Sequence, residues 1–354
     1  MPRRAVAPWL VLGCALLLGG CGQGTKRIVI LTNGSSPYWD AAAAGAQTAA
    51  KELGLEAAGY TLVIDRNNFK VDGQLDKLRQ YQGSSDVVAV AISVTDAQNP
   101  AIAEEMKKVQ AAGIHVITID SDVDRQKARD ARFAYIGTEN FVAGQELGTA
   151  ARLLLPEGGT YATFVGLKSA ANAVERIAGF REAAGERFTP AEDTFADGGD
   201  TDTARKNVKD AMDRNADLAL LVGIWSYNTP AIVDMVPAEK RSQVRIIGFD
   251  ADPPTIQAMQ RGMVDAVVVQ NPYMMGYLGV KLMRALVEKD QDTIREILPR
   301  HGSPDGDLHD TGLKLVIPEQ SPLAADEARG QFRAQVMLLP DFQRWLQERG
   351  LTGS

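Results

Sequence analysis

The chain has 354 residues, and 38 Lys plus Arg against 45 Asp plus Glu give it a formal net charge of -7. That acidic balance, with no basic stripe, excludes a nucleic-acid-binding surface, while 45% hydrophobic residues suffice for a large core. The only cysteines are Cys14 and Cys21, so the chain beyond them can hold neither an internal disulfide nor a Cys-ligated zinc site.

Arg3 and Arg4 open the chain, and Val6 to Leu18 is apolar but too short to span a bilayer comfortably. Leu18-Gly19-Gly20-Cys21 resembles the bacterial lipobox, in which the Cys thiol is lipidated and becomes the new N-terminus. Residues 1–20 are predicted to be a signal peptide, Cys21 the lipidated residue, and 21–26 a tether. No second long apolar run follows, so membrane contact is expected through the lipid only. The roughly 330 residues that remain favour two domains.

A strand is predicted at Arg27–Leu31 and an Ala-rich helix at Trp39–Leu53, followed by a strand at Tyr60–Asp65 and a helix at Val71–Gly83. Strand Val87–Ile92, helix Ala101–Ala112 and strand His115–Asp120 complete a first α/β unit. The strands are almost continuously apolar, as in a parallel sheet covered on both faces. The alternation restarts at Tyr161–Val165 with a helix at Val174–Ala184, and runs through segments at Leu218–Val222, Ile232–Val236, Val244–Phe249, Thr255–Arg261 and Val264–Gln270. Gly45 and Gly179 fall in the opening helices of the two units. Ala285–Gly312 is polar and interrupted, Gly312–Pro318 reads as a last strand, and Ala325–Gly350 reads as one or two helices packing through Phe332, Leu338, Leu339, Phe342, Trp345 and Leu346.

Parallel α/β sheets bind ligands at the carboxyl ends of their strands. There the sequence offers Asn33, Ser36, Tyr38 and Trp39, then Ser93, then Asp120, and in the second unit Asn172 and Arg176, Trp225, Asp250 and Gln270. Sugar hydroxyls donate and accept at once, which planar polar side chains satisfy, and sugar C–H faces stack on aromatic rings. An amino acid could also use Asp120, Asp250 and Arg176 as anchors, and composition does not separate the two. Each residue has a plainer reading too: Asp120 and Asp250 as caps, Tyr38 and Trp39 as a hydrophobic staple, Arg176 paired with Glu175 or Glu182, and Trp225 in the core.

Several short segments together resemble the periplasmic sugar-binding proteins of the ribose-binding type, which share a core with lac-repressor-like regulators. They are Ser36-Pro37-Tyr38-Trp39, Val116 to Asp120, Gly137-Thr138-Glu139-Asn140 with Gly144, Glu175-Arg176 with Gly179-Phe180, Ile247-Gly248-Phe249-Asp250, and Val269-Gln270 with Pro272 and Gly276. The resemblance covers roughly Arg27 to Pro318. It implies two Rossmann-like lobes with parallel sheets joined by a three-strand hinge, the type I periplasmic binding protein fold. The lobes implied are 27–138 plus 271–300, and 139–270 plus 301–354 with a helical extension. The resemblance gives Tyr38 and Trp39 the role of sandwiching a sugar, and Asp120, Arg176, Asp250 and Gln270 that of binding its hydroxyls. This sequence departs from the family at Ser36, where Asn is usual, at Ser121, where Arg is usual, and near Trp225, where an Asn is usual. The lost Arg argues against ribose itself, and Trp225 suggests a different stacking surface.

The function implied is a monomeric, periplasmic or extracytoplasmic solute-binding protein that delivers a small sugar to an ABC transporter permease, or else a receptor for chemotaxis or a sugar-like signal. An enzyme is disfavoured: Leu31 to Ser36 is not a dinucleotide-binding turn, and His115, His301 and His309 are scattered. No cofactor is expected. Asp120-Ser121-Asp122-Val123-Asp124 starts like a calcium loop but lacks its glycine and terminal Glu, so no metal is expected either.

Overall fold

A computed structural model describes residues 25–354; residues 1–20, expected to be a signal peptide, and Cys21, expected to be lipidated, lie outside the described residues. The first unit runs β1 (Lys26–Thr32), α1 (Pro37–Glu52), β2 (Tyr60–Arg66), α2 (Val71–Gln82), β3 (Val87–Ile92), α3 (Pro100–Ala111), β4 (His115–Ile119) and β5 (Tyr135–Gly137). The second runs α4 (Asn140–Leu154), β6 (Gly159–Val165), α5 (Ala171–Ala184), β7 (Phe188–Pro190), β8 (Phe195–Ala196), α6 (Thr201–Arg214), β9 (Leu218–Gly223), α7 (Asn228–Met235), β10 (Arg245–Phe249), α8 (Pro253–Gln260) and β11 (Ala266–Val269). Then come α9 (Pro272–Glu288), α10 (Gln291–Ile297), β12 (Leu308–Asp310), β13 (Lys314–Ile317), α11 (Asp326–Arg329), β14 (Gln335–Leu338) and α12 (Leu339–Gln347).

The sheets are ordered β12-β5-β4-β3-β1-β2 and β14-β13-β11-β10-β9-β6-β7, with β8 also on β6. Every pairing is parallel except β11 with β13. The path β2-β1-β3-β4-β5 recurs as β7-β6-β9-β10-β11, so the two units share one doubly wound plan. Its switch points, where a ligand crevice opens, lie between β1 and β3 and between β6 and β9. The chain crosses between units three times, after β5, after β11 and after β12.

Small residues set the helix packing. A methyl group on Gly45 of α1 would lie 1.8 Å from the Tyr273 carbonyl oxygen of α9, and one on Gly144 of α4 would lie 2.1 Å from that of Arg176 in α5. Each unit thus docks its opening helix on the helix that enters from the other unit.

Two expectations change. The second lobe, expected to include 301–354, does not hold its first residues: β12 pairs in parallel with β5 and completes the first sheet. Arg129 and Arg132 hold Asp307, and Tyr135 donates its backbone N–H to the Asp307 carbonyl, which draws this segment back. Within the stretch expected to be helical, β14 is an edge strand on β13. One helix beyond those expected, α6, is capped by Asp200 and buries only Ala204, Val208 and Ala211.

Candidate ligand-binding cleft

β4 and β10 take the same place in the two sheets, and each is followed directly by an aspartate. Asp120 and Asp250 both adopt left-handed backbone, with φ of 60° and 59°. That region is uncommon outside glycine, though Asp tolerates it, and strained residues of this kind cluster at functional sites. Here the turn aims both carboxyls into one cavity of about 150 Å³ between the units. An apolar cavity of that size in a protein interior takes up a six-membered ring.

The first unit supplies Ser36, Tyr38 and Trp39 from the start of α1. Pro37 fixes the first helical residue, and the Ser36 side chain makes no capping bond. The Tyr38 and Trp39 rings meet edge to face with centroids 5.0 Å apart. Tyr38 Oη donates to Asp120 Oδ1 at 2.8 Å, and Ser93 Oγ donates to Asp120 Oδ2 at 2.8 Å. Asn33 Nδ2 in turn donates to Ser93 Oγ at 2.8 Å.

From the second unit come Asn172 and Arg176 of α5, Trp225 after β9, Asp250, and Gln270 after β11. Gln270 donates to Asp250 twice, from its backbone at 3.1 Å and from Nε2 at 2.9 Å. Thr138, in the crossover after β5, donates to Gln270 Oε1 at 3.0 Å, so two crossovers meet beside the cavity. Arg176 is 1% exposed. Its guanidinium lies 4.2 Å over the Phe249 ring, Nε donates to Asn140 Oδ1 at 3.0 Å, and Nη1 donates to the Ile224 carbonyl at 3.1 Å. Its Nη2 has no partner.

Burial dominates the electrostatics. It pushes Asp250 up to about 7 and raises Asp120, against the pull of the Arg176 charge and the local hydrogen bonds. Behind the wall, burial likewise lifts Asp197 and Asp252 to about 6. Asp197 accepts hydrogen bonds from Tyr227 and Asn228.

Nine of the ten positions expected to bind ligand, Ser36, Tyr38, Trp39, Asp120, Asn172, Arg176, Trp225, Asp250 and Gln270, line this one cavity. Ser93 does not: it is fully buried behind Asp120 and orients it. The plainer reading of Arg176 gives way, while Trp225 both packs against the second lobe's core and reaches the cavity. Among the described residues Arg176 makes no ion pair, and Trp225 Nε1 donates to Asn172 Oδ1 at 3.2 Å from the cavity wall. Sequence reasoning missed Phe69, Thr201, Ser226 and Tyr227, which also line it. Phe69 had a signal, a lone ring in the polar run Arg66 to Lys70 directly after a strand. Among the described residues no His/Cys/Asp/Glu group is arranged to hold a metal, and no helix is long and apolar enough to cross a membrane.

Two repeated α/β units, three crossovers and a polar, ring-walled cavity between them define a two-lobed solute-binding protein. The sequence family described as a periplasmic binding protein domain matches residues 27–291, and the chain belongs to that family, whose members act in the periplasm or outside the cytoplasm. Its likeness within the family runs to the ribose-binding type. It is 24% identical over 282 residues to a ribose import binding protein of Haemophilus influenzae, covering 78% of this chain and 90% of that one. It is 26% identical over 274 residues to a D-apiose import binding protein of Paraburkholderia graminis, covering 75% and 84%. Among solved structures, an ABC transporter solute-binding protein from Burkholderia graminis in complex with D-arabinose matches with a TM-score of 0.70 and 24% identity, over 82% of this chain and 95% of that chain. One from Agrobacterium vitis with bound D-fucose matches with a TM-score of 0.71 and 21% identity, over 86% and 98%.

Proposed function

We propose that this chain binds one small sugar between its lobes and delivers it to an ABC-type membrane permease, anchored outside the cytoplasm through lipid on Cys21 and acting as a monomer. The observation that carries the sugar reading is Arg176. Its Nη2 is buried without a partner, in a cavity that it shares with two carboxyls and four aromatic side chains besides Tyr227. An unmade buried hydrogen bond costs about 1–3 kcal/mol, so a ligand oxygen that fills the gap is bound with corresponding gain. Asp120, Asp250 and Gln270 add acceptors and donors for hydroxyls, while Tyr38, Trp39 and Trp225 offer rings for C–H faces. The sugars bound or imported by the related proteins support the same class.

A thermal-shift screen of the processed chain against pentoses, hexoses, polyols and amino acids tests this. A sugar at about 100 times its Kd should stabilise by about 2.7 kcal/mol. Stabilisation by amino acids alone would overturn the sugar assignment. For the anchor, radiolabelled palmitate should appear on the expressed chain and be absent from Cys21→Ser.

A further inference from the structure

We propose that Phe69 is a closing wall of the ligand site, a ring of the first lobe that seats in a glycine socket of the second and limits the occupant to a single monosaccharide. This deepens the sugar-binding reading and rests on it.

Phe69 follows β2 in a loop whose shape is fixed locally. Its backbone N–H donates to the Asn33 carbonyl at 2.9 Å, and Asn67 Nδ2 donates to the Lys70 carbonyl at 2.8 Å. Its φ is 54°, in the left-handed region. For a residue with a bulky ring that conformation is strained, and it persists only where surrounding contacts fix it.

Those contacts come from both lobes. The Phe69 ring stacks on Trp225 with centroids 5.8 Å apart and planes 28° from parallel. A methyl group on Gly199 of the second lobe would lie 2.8 Å from the ring, and one on Gly34 of the first lobe would lie 2.4 Å from it. Trp225 is itself seated: a methyl on Gly166 would lie 2.0 Å from its ring, and Asn172 and Asn228 hold its two N–H groups. Three glycines thus make room for one ring pair that bridges the lobes and also lines the cavity. Hinge opening separates Phe69 from Gly199 and Trp225, so the pair forms only as the lobes close. Once formed, it leaves about 150 Å³. A second sugar ring extending past Trp225 meets Phe69.

Two experiments test this. In the first, Phe69→Cys is combined with Gly199→Cys in the processed chain, and the product is oxidised and digested. A disulfide-linked peptide pair from the two loops is expected, and its absence overturns the seating of Phe69 in that socket. In the second, calorimetry measures D-ribose, D-arabinose, D-xylose, D-galactose and D-fucose, with lactose and maltose as disaccharides. Phe69→Ala should weaken the best monosaccharide at least about tenfold and admit a disaccharide that the parent rejects. Gly34→Ala, which crowds the ring without altering the cavity's polar groups, should also weaken monosaccharide binding. Monosaccharide affinity within twofold of the parent in both variants overturns the closing role. If the parent binds none of the sugars, the sugar-binding reading fails and the size limit falls with it, while the cross-link still decides the lobe contact.

Discussion

Asp120 and Asp250 occupy the same place in their two units and share one backbone conformation, yet their neighbourhoods are built differently. Asp120 is held chiefly by hydroxyls of its own lobe, Tyr38 and Ser93. Asp250 is held by Gln270, a crossover residue that also accepts a hydrogen bond from Thr138 in a second crossover. One aspartate is therefore tied to a rigid lobe and its counterpart to the hinge. The contrast continues two residues further on. Burial pushes Asp122 up, but the hydrogen bond and charge of Arg132, aided by Arg125, outweigh it and hold the carboxyl below the usual range. Asp252 has no such cation and is lifted to about 6. The repeated fold fixes where a carboxyl stands, and the side chains around it decide whether that carboxyl is charged.

The comparison breaks most sharply at that second pair. Asp122→Ala leaves Arg132 buried without its main partner and should destabilise the chain by about 3–5 kcal/mol, read from the denaturant midpoint. Asp252→Ala, which removes an unpaired buried acid, should cost less than about 1 kcal/mol. Equal losses would show that the halves are not buttressed differently.

Arg176→Met keeps most of the side-chain volume and removes a cation that faces both aspartates. Calorimetry should show sugar affinity reduced about 100-fold or more, a loss near 3 kcal/mol. A smaller effect comes from pH. Asp250 titrates at about 7 when folded, above the roughly 3.9 of an unfolded Asp, so between those values the native state holds a proton that the unfolded chain has lost. Stability of the sugar-free protein should therefore rise as pH falls from about 7.5 to 5.5, with roughly 1–2 kcal/mol contributed by Asp250. Asp252 and Asp197, at about 6, act in the same direction. Melting temperatures across that window should show the slope, and Asp250→Asn should reduce it without abolishing it, since Asp252 and Asp197 remain. The smallest effect belongs to the Arg125–Glu175 pair, 3.5 Å apart across the lobes, with side chains 27% and 30% exposed. Glu175→Gln should weaken sugar binding by less than about 1 kcal/mol, and less still at high salt.

Much of this arrangement was legible in the sequence because its causes are local. Apolar runs ending in a polar residue marked β4 with Asp120 and β10 with Asp250, and Pro37 marked the start of α1 beside Tyr38 and Trp39. What stayed hidden depends on contacts distant in the chain. Ser93 stands at a strand end like the others, but Asn33 and Asp120 capture its hydroxyl and keep it behind the wall. Phe69 acquires its place from Gly199, 130 positions later. β12 returns to the first sheet because of Arg129 and Arg132, and β14 exists because β13 offers it an edge. None of these leaves a periodic trace of its own.

The central claim is that aspartates from the two lobes close on one shared ligand. Calorimetry of the sugar with the largest thermal shift, run on the parent chain, Asp120→Asn and Asp250→Asn, tests it directly. One-to-one binding that weakens at least about tenfold in each variant is the expected result. Affinity unchanged in either variant would contradict it.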